Sequence, residues 1–178
     1  MPTKTSALRE ELKQTRPFHS TAHEALLSVL RTAAVVQRIT TQVVEAAGIT
    51  VQQYNVLRIL RGAGDAGLPT LAIRDRMIEE AAGITRLIDK LESAGYVVRE
   101  RSTPDRRQVL CQITPDGLAL LAGLDEPMDA MTERACATLD EPEQASLVEL
   151  LGAVRAGCHA IAEAVLAQGS ARGGQPPR

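Results

Sequence analysis

The stretch AAGITRLIDKLESAGYVVRERSTPDRRQVLCQI, residues 81–113, decides how this chain is read. Its first half places Ile84, Leu87, Ile88 and Leu91 at helical spacing and stops at Gly95. The period then changes. Tyr96–Arg101 is β-like, and so is Gln108–Ile113, where Val109, Cys111 and Ile113 alternate with Gln108, Leu110 and Gln112. Between them, residues 102–107 (Ser-Thr-Pro-Asp-Arg-Arg) form a charged turn. The stretch therefore predicts a helix over about 81–94, followed at once by a hairpin with a charged tip.

Upstream, Thr50 and Gln53 stand at capping-box spacing and open a helix that turns Val51, Tyr54, Leu57 and Leu60 inward. Gly62, Gly64 and Gly67 mark a turn, and Pro69 and Thr70 start a short helix reaching Met77. Further out, Leu26, Leu30, Ala33, Ile39 and Val43 repeat at helical spacing from Ser20 to Ala47, ahead of Gly48. Such a helix runs roughly 40 Å, long enough to pack on a partner as well as on its own core. Downstream, Thr114 caps and Pro115 begins a helix to about Leu139, bent near Pro127. Asp140 to Glu143 cap a last helix whose stripe holds Leu147, Leu150, Leu151, Val154, Ile161 and Val165.

The expected organisation is an N-terminal arm (1–19), a dimerisation helix (20–48), a winged helix-turn-helix (49–114), C-terminal dimerisation helices (115–168) and a disordered tail (169–178). The fold class is mainly α, with a small β-hairpin wing.

Composition agrees with a folded chain. Hydrophobic residues make up 44% of 178 and charged residues 24%, but aromatics only 2%, so aliphatic side chains on packed helices must fill the core. The N-terminus is polar and lacks a signal peptide's apolar centre, and no run reaches the ~18 apolar residues of a membrane span. A cytoplasmic protein without a membrane partner is expected. Three cysteines without metal-ligand spacing argue against a disulfide framework or a zinc finger. The net charge of −2 divides unevenly. Residues 1–114 carry 16 Lys/Arg against 12 Asp/Glu, and residues 115–178 carry 4 against 10. A basic surface on the first part suits phosphate, while the acidic remainder keeps the molecule soluble.

A helix entering the major groove needs small or polar residues at its leading end. Ala81, Ala82 and Gly83 permit close approach, and Thr85 can bond a phosphate or a base edge. Arg86 can fork onto guanine, with Lys90 one turn further on the same face. Thr70, opening the preceding short helix, completes this part of the candidate set. On the hairpin, Arg99, Arg101, Arg106 and Arg107 form a basic cluster, and Asp105 is spaced to hold Arg107 by a charge-assisted bond. Such a wing can slide an arginine into the minor groove. Taken singly, the helix also reads as an ordinary amphipathic helix and the tip as a solvated loop. Their adjacency is what favours DNA.

The run Gly83–Gly95, then Tyr96–Arg101, then Pro104–Gly117 with Asp105 and Arg107 in an Asp-x-Arg pattern, resembles the MarR family of bacterial regulators. The similarity extends from about Ser20 to Ala167. It implies a homodimer, paired through the long first helix and the two helices after the hairpin, straddling a pseudo-palindromic duplex. It further implies that Thr85 and Arg86 face the major groove, that Arg107 reaches the minor groove, and that a small-molecule effector controls affinity. One departure stands out: Glu79 and Glu80 place two carboxylates close to the expected DNA face.

Other features carry less. His19 and His23 are spaced to share a metal ion, but two ligands do not make a site, and no metal or cofactor is expected. Cys111 and Cys136 fit packing, which leaves Cys158 beside His159 as the redox candidate. Alternative readings are a redox- or metal-responsive regulator and a winged-helix interaction module that does not bind DNA. No nucleophile elbow, phosphate loop or HExxH motif supports an enzyme.

Overall fold

Side-chain oxygens set several of the helix starts. In the computed structural model, which describes residues 7–79, 83–101 and 109–172 with side chains to residue 167, Ser20 Oγ accepts the His23 amide at 3.1 Å. Thr50 accepts the Gln53 amide while the Gln53 side chain accepts the Thr50 amide, the reciprocal cap read from the sequence. Asp140 and Glu143 exchange the same pair of bonds, each at 2.9 Å.

The chain order is α1 (Ala7–Glu11), α2 (Thr21–Glu45), α3 (Val51–Ala63), β1 (Leu68–Pro69), α4 (Thr70–Arg74), α5 (Ile84–Ser93), β2 (Val97–Arg101), β3 (Val109–Ile113), α6 (Pro115–Cys136) and α7 (Glu141–Arg172). It divides into two compact units, Met1–Ala130 and Met131–Arg178, with the boundary inside α6.

In the first unit, Leu57 and Leu60 of α3, Ile73 of α4, Ile88 and Leu91 of α5, Cys111 of β3 and Leu121 of α6 are fully buried together. Beside this core lies an antiparallel sheet in the order β1-β3-β2, with Val97 opposite Ile113 and Arg101 opposite Val109. The sheet has one strand more than the hairpin expected. Leu68 and Pro69 pair with Cys111 and Leu110, and Pro69, which has no N–H to donate, is confined to the edge. Two residues are too few to show a period in sequence. Gly67 makes this pairing possible: a Cβ there would stand 2.8 Å from the Cys111 carbonyl oxygen.

Further boundaries differ from the sequence reading: α5, expected from about residue 81, opens at Ile84, with Gly83 in the turn before it. α4 closes at Arg74 rather than Met77, because the Asp75, Arg76 and Met77 amides turn back onto Leu71, Ile73 and Arg74. α6 ends at Cys136 rather than near Leu139, and Pro127 lies inside it. α7 continues to Arg172, through residues expected in a disordered tail; one glycine costs a helix only about 1 kcal/mol and does not stop this one.

Arg61 of α3 grips Asp125 of α6 with both carboxylate oxygens, at 2.9 and 3.0 Å. The Arg61 bond and charge hold the Asp125 carboxyl below the usual aspartate range. A carboxyl depressed in the fold stabilises above its unfolded value, near ~3.9, and loses that contribution as pH falls. Arg61→Met should cost about 0.2–1 kcal/mol at neutral pH, since the pair is part-exposed, and should flatten the acid limb of the stability curve. Urea unfolding across acidic pH checks both; an unchanged acid limb counts against the pair.

The long helices carry apolar residues that stay wet. In α2 only Val44 is buried, while Leu26, Leu30, Val36 and Ile39 are exposed. On α7, Leu150 and Ile161 are each 66% exposed. Within Glu141–Ala167 the most apolar 18-residue window has a mean hydropathy of 1.4, so the helix is long and apolar enough by length and composition to cross a membrane. Glu149, Arg155 and Glu163 interrupt the segment, so it shows no unbroken apolar run in the sequence.

Candidate nucleic-acid interface

α5 is strongly two-sided. Ile84, Ile88 and Leu91, spaced by four and then three residues, enter the core, which turns Thr85, Arg86, Asp89 and Lys90 to solvent. Gly83 precedes the first turn without a side-chain cap, and its carbonyl accepts the Leu87 amide at 3.1 Å. Arg86 and Lys90 stand one turn apart, and neither forms an ion pair among the described residues. This arrangement leaves two cations and a hydroxyl on one exposed helix face.

Polar tethers hold the approach to α5. Asn55 of α3 accepts the Ile78 amide at 3.0 Å, and Gln37 of α2 donates to Glu79 at 2.7 Å. The Glu79 carboxylate, an anion in an awkward place by sequence, is therefore engaged by α2. Glu80 lies outside the described residues.

The strands supply the second element. Val97, Arg99 and Arg101 share one strand face, and Arg101 is exposed at the far end of β2. Arg99 departs from the sequence reading, which grouped it with the free arginines of the wing. Its guanidinium is bonded to Asp89 at 2.6 Å and to Glu92, both on α5, and reaches the Thr85 carbonyl at 3.5 Å. Asp89 and Glu92 share a helix face at i, i+3, and a cation seven to ten residues downstream was the available sequence signal. Partial burial draws the Arg99 pKa down, but the bonds and charges of Asp89 and Glu92 outweigh it and the net direction is upward.

Where β2 meets α6, Thr114 joins three backbone segments. Its hydroxyl donates to the Gly95 carbonyl at 2.6 Å and accepts the Gly117 amide, while its own amide bonds the Tyr96 carbonyl. The end of α5, the start of β2 and the start of α6 are thereby fixed together.

Of the residues singled out by sequence, Gly83, Thr85, Arg86 and Lys90 gather on α5. Thr70 does not join them through its hydroxyl, which lies 3.9 Å from the buried Cys111 sulfur. Ala82, Asp105, Arg106 and Arg107 lie outside the described residues. His19, His23 and Cys158 are exposed, and no group of three metal-ligating side chains occurs among the described residues.

Residues 49–109 match the model of the MarR family. The regulator MhqR of Bacillus subtilis is 31% identical over 104 residues, which are 58% of this chain and 70% of that protein. A regulatory protein for the hcr operon of Thauera aromatica is 29% identical over 104 residues, and the match spans only 61% of its length. The crystal structure of a MarR transcription factor from Planctomyces limnophilus superposes with a TM-score of 0.58 at 38% identity, covering 76% of this chain and 98% of that one. The chain belongs to the MarR family, whose members are DNA-binding transcriptional regulators built on a winged helix and are not enzymes.

Proposed function

We propose that this chain is a sequence-specific, ligand-responsive repressor that acts as a homodimer in the cytoplasm. One observation carries the reading: the inner face of α5 is locked in the core while Thr85, Arg86 and Lys90 stand unburied on its outer face. A helix so held presents its leading end to the major groove, where Arg86 forks onto a base or phosphate and Gly83 allows close approach. Ala82 adds a second small residue there. Asp105, Arg106 and Arg107, which lie between β2 and β3 in the sequence and outside the described residues, are assigned to the adjacent minor groove in this reading. Thr70 borders the surface from the start of α4.

The exposed apolar faces of α2 and α7 support twofold pairing. A membrane suits α7 poorly, because Glu149, Arg155 and Glu163 are distributed along it and charges at bilayer depth are costly. Pairing presents the DNA surface twice, with half-sites about 34–36 Å apart. A dimer seated across an operator occludes it, and a small molecule that binds one arrangement of the dimer better than the other releases it.

Enrichment of bound duplexes from the host genome tests the reading. Arg86→Ala should weaken binding to the enriched duplex by about 1–3 kcal/mol, and Arg107→Ala should weaken it while lowering the salt slope by about one ion. Unchanged binding by both variants rejects the DNA surface and favours an interaction module. Leu150→Asp combined with Ile161→Asp should give a folded monomer by sedimentation; a dimer of unaltered mass rejects the α7 interface.

A further inference from the structure

The DNA-facing helix carries its own anions. Asp89 lies three residues after Arg86 and four after Thr85, so it shares their face, and Glu92 lies one turn further on. Uncompensated, Asp89 would stand beside incoming phosphate. Arg99 meets both carboxylates with separate arms of one guanidinium and directs the same nitrogen that binds Asp89 toward the Thr85 carbonyl. Its side chain is 22% exposed, against 53% for Asp89 and 39% for Glu92. The cation is thus seated between helix and sheet, with the anions on its outer side. An arginine can do this where a lysine cannot, because the planar fork fixes two partners in direction while an ammonium acts as a point charge.

We propose that Arg99 is a positioning residue for sequence reading: it sets the angle of α5 on the sheet, and with it the depth and rotation at which Thr85 and Arg86 meet base edges. This rests on α5 being the reading helix. Base recognition needs correct angles, whereas non-specific binding needs only charge, so the two kinds of binding should separate.

The probes are a duplex enriched by the wild-type protein from a randomised pool, and poly(dI-dC). Arg99→Lys keeps the charge and loses the fork. It should bind the enriched duplex at least about fivefold more weakly while its affinity for poly(dI-dC) changes less than about twofold. Asp89→Asn supplies a second test that loosens the clamp while leaving Arg99 itself in place. Removal of an anion beside phosphate strengthens binding to any duplex if charge alone matters. If the clamp positions α5, affinity for the enriched duplex falls in spite of that gain. Wild-type behaviour of Arg99→Lys, or tighter specific binding by Asp89→Asn, overturns the proposal. Failure of the wild-type protein to enrich any duplex is a different result and removes the DNA-reading function itself. If Arg99→Lys does not fold, the Asp89→Asn result decides.

Discussion

Ile88→Ala is expected to destabilise the first unit by about 2–5 kcal/mol, the range for emptying a filled aliphatic site. Ile88 is fully buried at the centre of the inner face of α5, between Ile84 and Leu91 in the same cluster. With few aromatic residues in the chain, the core depends mainly on close-fitting aliphatic side chains, and a close-packed interior relaxes only partly into the volume lost. The urea midpoint should fall with little change in slope, and Ile88→Val should cost only about 0.5–1.5 kcal/mol. DNA binding should fail together with folding, since the outer face of α5 is aimed only as well as its inner face is seated. A midpoint unchanged by Ile88→Ala would mean that α5 does not pack as described.

Gly117→Ala ranks second, at about 1–3 kcal/mol and toward the upper end. A Cβ at this position would lie 2.5 Å from the Tyr96 carbonyl oxygen and 2.8 Å from Ile113 Cγ1. Side chains can turn aside, but the Tyr96 carbonyl is held by the Thr114 amide at 3.0 Å. Relief therefore requires the first turn of α6 to move off the sheet. Gly123, on the exposed side of the same helix, has no atom within 4 Å of its would-be Cβ. Gly123→Ala should stabilise by up to about 1 kcal/mol through helix propensity alone. Thermal melts of the two variants should move in opposite directions, and a shared direction would show that crowding at residue 117 is not the cause.

Much of this architecture was legible from residues 81–113. The helical spacing of Ile84, Ile88 and Leu91, the strand around Cys111 and the caps at Thr50 and Asp140 are local patterns, and each recurs in the structure, although Val109 at the start of that strand is exposed rather than inward. Partnerships between distant residues were not legible. Arg99 looked like one more wing arginine, because sequence shows its charge but not that β2 lies against α5. Gln37 engaging Glu79, 42 residues away, leaves no pattern at all in the sequence. The surroundings of Thr70 are hidden for a similar reason: its position at a helix start is visible in the sequence, while the sulfur beside its hydroxyl comes from a strand 41 residues on. β1 escaped notice because a two-residue strand containing proline is defined by what it pairs with.

In the proposed dimer, the uncovered apolar length of α7 also ties this regulator to its own abundance. Covering that face with a second copy is a bimolecular event, favoured by mass action and undone by dilution. Where subunits are scarce, operator occupancy then falls faster than in proportion to copy number. Gene dosage and proteolytic turnover thereby become inputs to the proposed switch, alongside the proposed small molecule.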